Sequence, residues 1–123
     1  MYPTKSKLLI DAITNGVVVA DGAMGTMIQA AAPSLADFEG HEGCNEVLNV
    51  TRKDIIADIH RAYLSAGSQA IETNTFGANL ANLAEYGIES RIEEFAEAGA
   101  QIAKAVADEF STPDEPRWVL GSV

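Results

Sequence analysis

Val17, Val18, Val19 and Ala20 are four consecutive apolar residues, followed at once by Asp21-Gly22-Ala23-Met24-Gly25-Thr26. A run without polar alternation suits a strand covered on both faces, the situation of a central strand in a parallel sheet. Two further short runs follow the same plan. Gln69-Ala70-Ile71-Glu72-Thr73 enters Asn74-Thr75-Phe76-Gly77, and Trp118-Val119-Leu120 enters Gly121-Ser122-Val123. Helical patterns separate them, and strand–helix alternation of this kind predicts an α/β fold with parallel strands.

The helices are read from caps and spacing. Ser6 is the expected cap of a first helix with Leu9 and Ile13 on one face, stopped by Asn15-Gly16. A short helix is expected from Met27 to Ala32, ended at Pro33, and residues 34–50 read as a long loop, either an elaborated connection around a site or a disordered surface excursion. Thr51 is expected to cap the next helix, with Asp54 at the acidic position of a capping box. Its apolar face is Ile55, Ile59, Ala62, Tyr63 and Ala66, and Gly67 stops it. A short helix through Leu80 and Leu83 is expected to stop at Tyr86-Gly87. Ser90-Arg91-Ile92-Glu93 is a complete capping box for a long helix burying Ile92, Phe95, Ala96, Ile102, Ala103, Val106 and Phe110. Gly99 falls on that face, which reads as close helix packing.

Charge and composition remove several functions. The 123 residues hold 8 Lys+Arg against 18 Asp+Glu, a net charge of −10, so there is no basic stripe for nucleic acid or for an anionic membrane. No apolar run reaches the length of a membrane span, and no signal-peptide core is present. With one cysteine, Cys44, an internal disulfide is impossible, and a cytoplasmic location is expected. At 47% hydrophobic residues the chain can fill a core.

Polar and glycine residues gather after each strand, where parallel α/β folds bind ligands. Three such ends fit one face of a (βα)8 barrel and fit an open doubly wound sheet equally well. Asp21-Gly22 can present a carboxylate to a ligand amine beside a free N–H for a ligand carboxylate, and it can equally be a plain strand-ending turn. Glu72 through Phe76 holds four polar side chains that need partners. His41, Cys44 and His60 fall short of the ligands a zinc site requires, so no metal site and no catalytic residue is assigned.

In order and at suitable spacing, Asp21–Thr26, Gly43-Cys44-Asn45-Glu46, the helix start at Thr51, Glu72-Thr73-Asn74-Thr75-Phe76-Gly77-Ala78-Asn79 and Gly121-Ser122 resemble the homocysteine-binding domain of cobalamin-dependent methionine synthases. Betaine– and S-methylmethionine–homocysteine methyltransferases share the fold and the Asp-Gly start. The resemblance covers essentially the whole chain, residues 1–123. It implies the first three βα units of a (βα)8 TIM-type barrel, incomplete here. It also implies methyl transfer to homocysteine, from methyltetrahydrofolate by way of cobalamin bound to other domains, with the sulfur on a zinc held by three cysteines. None of those cysteines is in this sequence.

By the same resemblance Asp21 accepts from the homocysteine ammonium, Gly22 donates its amide to the carboxylate, and Thr73 through Phe76 close the subsite. Asn74, Asn45 and Ser122 are expected nearby from their positions at the strand ends. The strand ending at Val123 leaves an open sheet edge. The isolated chain is therefore expected to be inactive, to bind neither zinc nor cobalamin alone, and to self-associate. The alternative is a self-contained small α/β ligand-binding or assembly module without catalysis.

Overall fold

The computed structural model describes residues 4–123; the first three residues of the chain lie outside it. Helix α1 spans Thr4–Asn15, α2 Gly25–Ala31, α3 Leu48–Thr51 and α4 Lys53–Ser65, followed by strand β1 at Ala70–Glu72. Helix α5 spans Leu80–Glu85, α6 Ile92–Phe110, and strand β2 is Trp118–Leu120. Strands β1 and β2 pair in parallel with Ala70 opposite Trp118 and Glu72 opposite Leu120. This is an α/β chain, and among the described residues no helix is long and apolar enough to cross a membrane.

The first expected strand is reduced. Residues 17–20 contribute only a parallel bridge from Ala20 to Ala70 on the far side of β1. Gln69 N–H donates to Val19 O at 2.7 Å, Asp21 N–H to Ala70 O at 2.9 Å, and the Gln69 side chain takes the Val19 N–H at 3.0 Å. Two regular strands and one bridged segment therefore stand where three strands were expected. The run was read as buried on both faces, yet Val17 is 86% and Val19 52% exposed. β1 flanks this segment on one side, and no described residue pairs with it on the other.

One core cluster joins Ile28, Leu48, Ile55, Ile56, Ile59 and Ile102 of α2, α3, α4 and α6 with Phe38 from the turns between α2 and α3. A second lies between the sheet and its helices: Leu64, Ile71, Ala103, Val106 and Ala107, with Val119 against it. A third holds Cys44, Val47, Leu83 and Phe95. Burying each such aliphatic or aromatic side chain contributes roughly 1.5–3 kcal/mol. Helix α6 supplies residues to all three clusters, as its periodicity predicts. Ile92, Ala96 and Phe110, expected on its inner face, are half-buried at its margins. Gly99 is required there: a Cβ would lie 2.8 Å from both Asn49 Nδ2 and Thr75 Cγ2.

Three expected caps are not made. Ser6 sits inside α1, which begins at Thr4. Thr51 ends the short α3 instead of capping α4, and its hydroxyl donates to the carbonyls of Asp37 and Val47. Asp54 instead receives a two-pronged bond from Arg52, which holds its carboxyl down near 2. Ser90 lies in a 3-10 turn, and α6 starts with no side-chain cap; Arg91 there forks onto Glu94 and lies 4.5 Å over the Phe95 ring. Asn79 is a cap the pattern hid, accepting from Asn82 N–H at 2.9 Å.

The expected loop at residues 34–50 is also corrected. Its second half is a 3-10 turn at Asn45–Val47 running into α3, with Cys44, Val47, Leu48 and Asn49 fully enclosed. Val47 and Leu48 drive this segment inward, and bonds within the chain satisfy the polar groups that go with them.

Candidate functional site

Asp21, Gly22, Thr73, Asn74, Phe76 and Ser122 line one cleft of about 250 Å3, together with Ala23, Met24, Glu72 and Thr75. Six of the seven residues expected at the site therefore meet. The seventh, Asn45, lines a neighbouring cleft of about 360 Å3 with Gly25, Ile28 and Phe38. It reaches the site indirectly, through its carbonyl, which accepts from Asn74 Nδ2 at 3.0 Å.

Asp21 stands at the end of the bridged segment, and its carboxylate accepts the Glu72 N–H at 3.1 Å. Burial pushes its pKa above the ordinary carboxylate value, and the neighbouring Glu72 carboxylate pushes it further, both against the backbone bond. None of the residues lining the cleft is Lys, Arg or His, so two carboxylates face it without a cation of their own. A positively charged group entering the cleft would relieve that repulsion. Gly22 beside them is exposed.

The hydroxyls across the cleft are already committed. Thr75 Oγ1 donates to Ser122 O at 2.8 Å, so in its 2.6 Å contact with Thr73 Oγ1 the proton comes from Thr73. Thr73 Oγ1 in turn accepts the Ser122 N–H at 3.1 Å. This closed ring ties the loop after β1 to the loop after β2. Thr73 keeps only acceptor capacity for a ligand. Phe76 is 73% exposed at the rim.

Asn74 faces two ways. Its residue borders the cleft, yet both amide hydrogens are spent in the core, on Asn45 O and on Asn49 Oδ1 at 2.9 Å. Asn49, fully buried, answers with bonds to Asn74 O at 2.7 Å and Phe95 O at 3.1 Å. Glu46, 7% exposed, accepts Gly77 N–H at 2.9 Å, and a Cβ on Gly77 would lie 2.5 Å from that same oxygen. The Gly43-Cys44-Asn45-Glu46 stretch and Asn49 thus support the loop at residues 74–77 from behind. Sequence reading missed Glu46 and Asn49 as supports of this loop. Their signal was polar side chains next to the apolar Val47 and Leu48.

The metal that the family resemblance implies does not fit these residues. Cys44 is enclosed in the third core cluster, donates to Glu46, and burial pushes its thiol up to about 11. Among the described residues no three His, Cys, Asp or Glu side chains converge. His41 packs edge-on against Tyr86, and His60 is buried in α4.

Parallel strands with a polar cleft at their carboxyl ends define the class: an α/β protein of the kind whose strand ends are the usual place for ligands. Residues 18–123 match the family model for homocysteine S-methyltransferase, and the chain belongs to that family. It is 54% identical over 115 residues to the methionine synthase of Mycobacterium tuberculosis (strain ATCC 25618 / H37Rv) and 51% identical to that of Mycobacterium leprae (strain TN). Each match covers 94% of this chain, which spans about a tenth of the length of these relatives (10% of each). The fold is similar to crystal structures of the homocysteine methyltransferase MmuM from Escherichia coli. The metallated form gives a TM-score of 0.72 at 24% identity, covering 95% of this chain and 40% of that one. The oxidized form gives 0.68 at 21% identity, covering 86% and 37%.

Proposed function

We propose that this chain is the N-terminal portion of the homocysteine-binding domain of a methionine synthase and forms the amino-acid end of the homocysteine subsite. The observation that carries the reading is the cleft itself. It brings Asp21, Gly22, Thr73 and Ser122 together with a second carboxylate, Glu72, and no cation, in a chain of the homocysteine S-methyltransferase family. Asp21 accepts from the ammonium, and Gly22 N–H donates to the α-carboxylate. The Thr73–Thr75–Ser122 ring holds the opposite wall, and Phe76 covers the rim.

In this reading the chain supplies the first βα units of a (βα)8 barrel, and the methyl group passes from methyltetrahydrofolate to homocysteine by way of cobalamin. Cobalamin and zinc belong to segments outside these 123 residues, zinc serving as a Lewis acid that keeps the thiol ionised. The protein works in the cytoplasm. The 123-residue chain alone binds homocysteine weakly, catalyses nothing, and self-associates through its open edge. The mycobacterial relatives, named methionine synthases, favour this over a free-standing binding module.

The test uses the complete polypeptide encoded by the reading frame that contains this segment. It should convert homocysteine to methionine, and Asp21→Asn should raise the KM for homocysteine by roughly ten- to a hundredfold, the worth of one hydrogen bond to a charged group. A polypeptide without homocysteine-dependent methionine formation, or an unchanged KM in Asp21→Asn, would remove the assignment.

A further inference from the structure

Tyr63 entered the sequence reading as one more apolar position on α4, yet its two ends lie in different surroundings. Its ring packs against both the first and the second core clusters, so its base is fixed from two sides. Its hydroxyl leaves the core and donates to Ala23 O at 2.6 Å. The carbonyl it holds belongs to the turn that carries Asp21 and Gly22. The ring also sits directly against Gly22: a Cβ there would lie 3.3 Å from the hydroxyl oxygen and 3.4 Å from Cε1. A side chain at position 22 would therefore press on the Tyr63 ring, which would have to give by a few tenths of an ångström, while the backbone angle itself is not left-handed.

Other bonds hold the same turn. Asp21 N–H donates to Ala70 O at 2.9 Å, and the Asp21 carboxylate takes Glu72 N–H. Both fix the turn on its β1 side. The far side, after Gly22, is fixed by the Tyr63 hydroxyl.

We propose that Tyr63 is a positioning residue for the amino-acid end of the substrate: it sets the orientation of the Asp21 carboxylate and the Gly22 N–H without touching the ligand. The proposal rests on the reading of the cleft as the homocysteine subsite. A phenol anchored in the core and bonded at its tip defines the turn to within a hydrogen-bond length. Small displacements of a binding group are costly because its bonds depend steeply on distance and angle.

The experiment compares two thiols on the complete polypeptide: homocysteine, and 4-sulfanylbutanoate, which has the same carbon chain without the amino group. The ratio of their kcat/KM values reports the grip on the ammonium. Asp21→Asn sets the floor of that ratio. Tyr63→Phe keeps the ring and removes only the bond to Ala23. It should lower the ratio about fivefold, equivalent to about 1 kcal/mol at 1.4 kcal/mol per tenfold, through the KM for homocysteine with kcat held. Gly22→Ala presses on the ring from the other side and should lower the ratio in the same sense. A purely structural role would weaken both thiols alike and leave the ratio unchanged, which would overturn the proposal. If Asp21→Asn also leaves the ratio intact, the reading of the cleft itself fails and the role of Tyr63 falls with it. A lowered ratio in Asp21→Asn with an unchanged one in Tyr63→Phe rejects Tyr63 alone.

Discussion

The carboxyl end and the body of the bridged segment at residues 17–21 obey opposite rules. At its carboxyl end, around Asp21, hydrogen bonds among Thr73, Thr75 and Ser122 and from Glu72 N–H to Asp21 tie the neighbouring segments together inside the chain. Along its body, Val17 and Val19 present apolar side chains to solvent, with β1 on one side only. Buried polar groups need partners at close range, so a polar cluster that is fully satisfied marks a region complete in itself. Apolar residues that stay exposed beside an unpaired edge are the surface on which the proposed self-association would act. The cleft can therefore be well formed while the sheet beside it is open.

The strongest challenge to that contrast is Asn49→Ala. It strands an Asn74 amide hydrogen and leaves the carbonyls of Asn74 and Phe95 short of a donor in the core. It should cost about 2–4 kcal/mol, since each buried unpartnered group costs roughly 1–3 kcal/mol. Urea unfolding would measure it, and a loss below about 1 kcal/mol would mean that the network at the carboxyl end is ornamental.

His60 departs furthest from polar satisfaction, because neither ring nitrogen meets a partner among the described residues; Arg117 Nε is the other buried nitrogen without one. Burial lowers its pKa from 6.5 to about 4. The unfolded chain therefore binds the proton first as pH falls, so stability present above pH 6.5 is lost progressively towards pH 4. The full span corresponds to about 3 kcal/mol at 1.36 kcal/mol per pKa unit. His60→Leu should flatten the acid limb of a stability–pH profile between those limits. A limb as steep as that of the parent would show that His60 reaches solvent or a partner.

The smallest effect tests the open side. Val19→Lys should change unfolding free energy by no more than about 0.5 kcal/mol, as for other surface substitutions. It should nevertheless shift the isolated chain towards monomer in sedimentation. A loss of several kcal/mol would place Val19 in a core after all.

The sequence carried much of this arrangement. Trp118–Leu120 and the stop of α5 at Tyr86-Gly87 fall where their patterns put them, because apolar runs and glycine stops are local signals. The six cleft residues follow apolar runs, which marked the places, but the roles expected of Asp21, Gly22 and Thr73 through Phe76 came from the family resemblance. The caps were not: Thr51 could bond to the amides of α4 or to the carbonyls of Asp37 and Val47, and tertiary contact decided between them. Residues 45–50 read as the end of a loop because their helix is short and polar in places. Their burial depends on Leu83 and Phe95, which lie far along the chain. The exposure of Val17 and Val19 was hidden for a related reason, since hydrophobic pattern reports what a segment requires and not what is present to meet it.

The bonds that shape the cleft also set when it can exist. Asp21 joins Glu72 across 51 residues, and Thr75 joins Ser122 across 47. During synthesis the first strand end and its turn are made early, but the second wall cannot close until Ser122 has left the ribosome. Long-range contacts of this kind are paid for in chain entropy before they return any stability. A ligand that spans the walls would bind only chains in which all three segments have docked, and by mass action it would hold them there. Affinity for the ligand is in that sense a readout of completed folding.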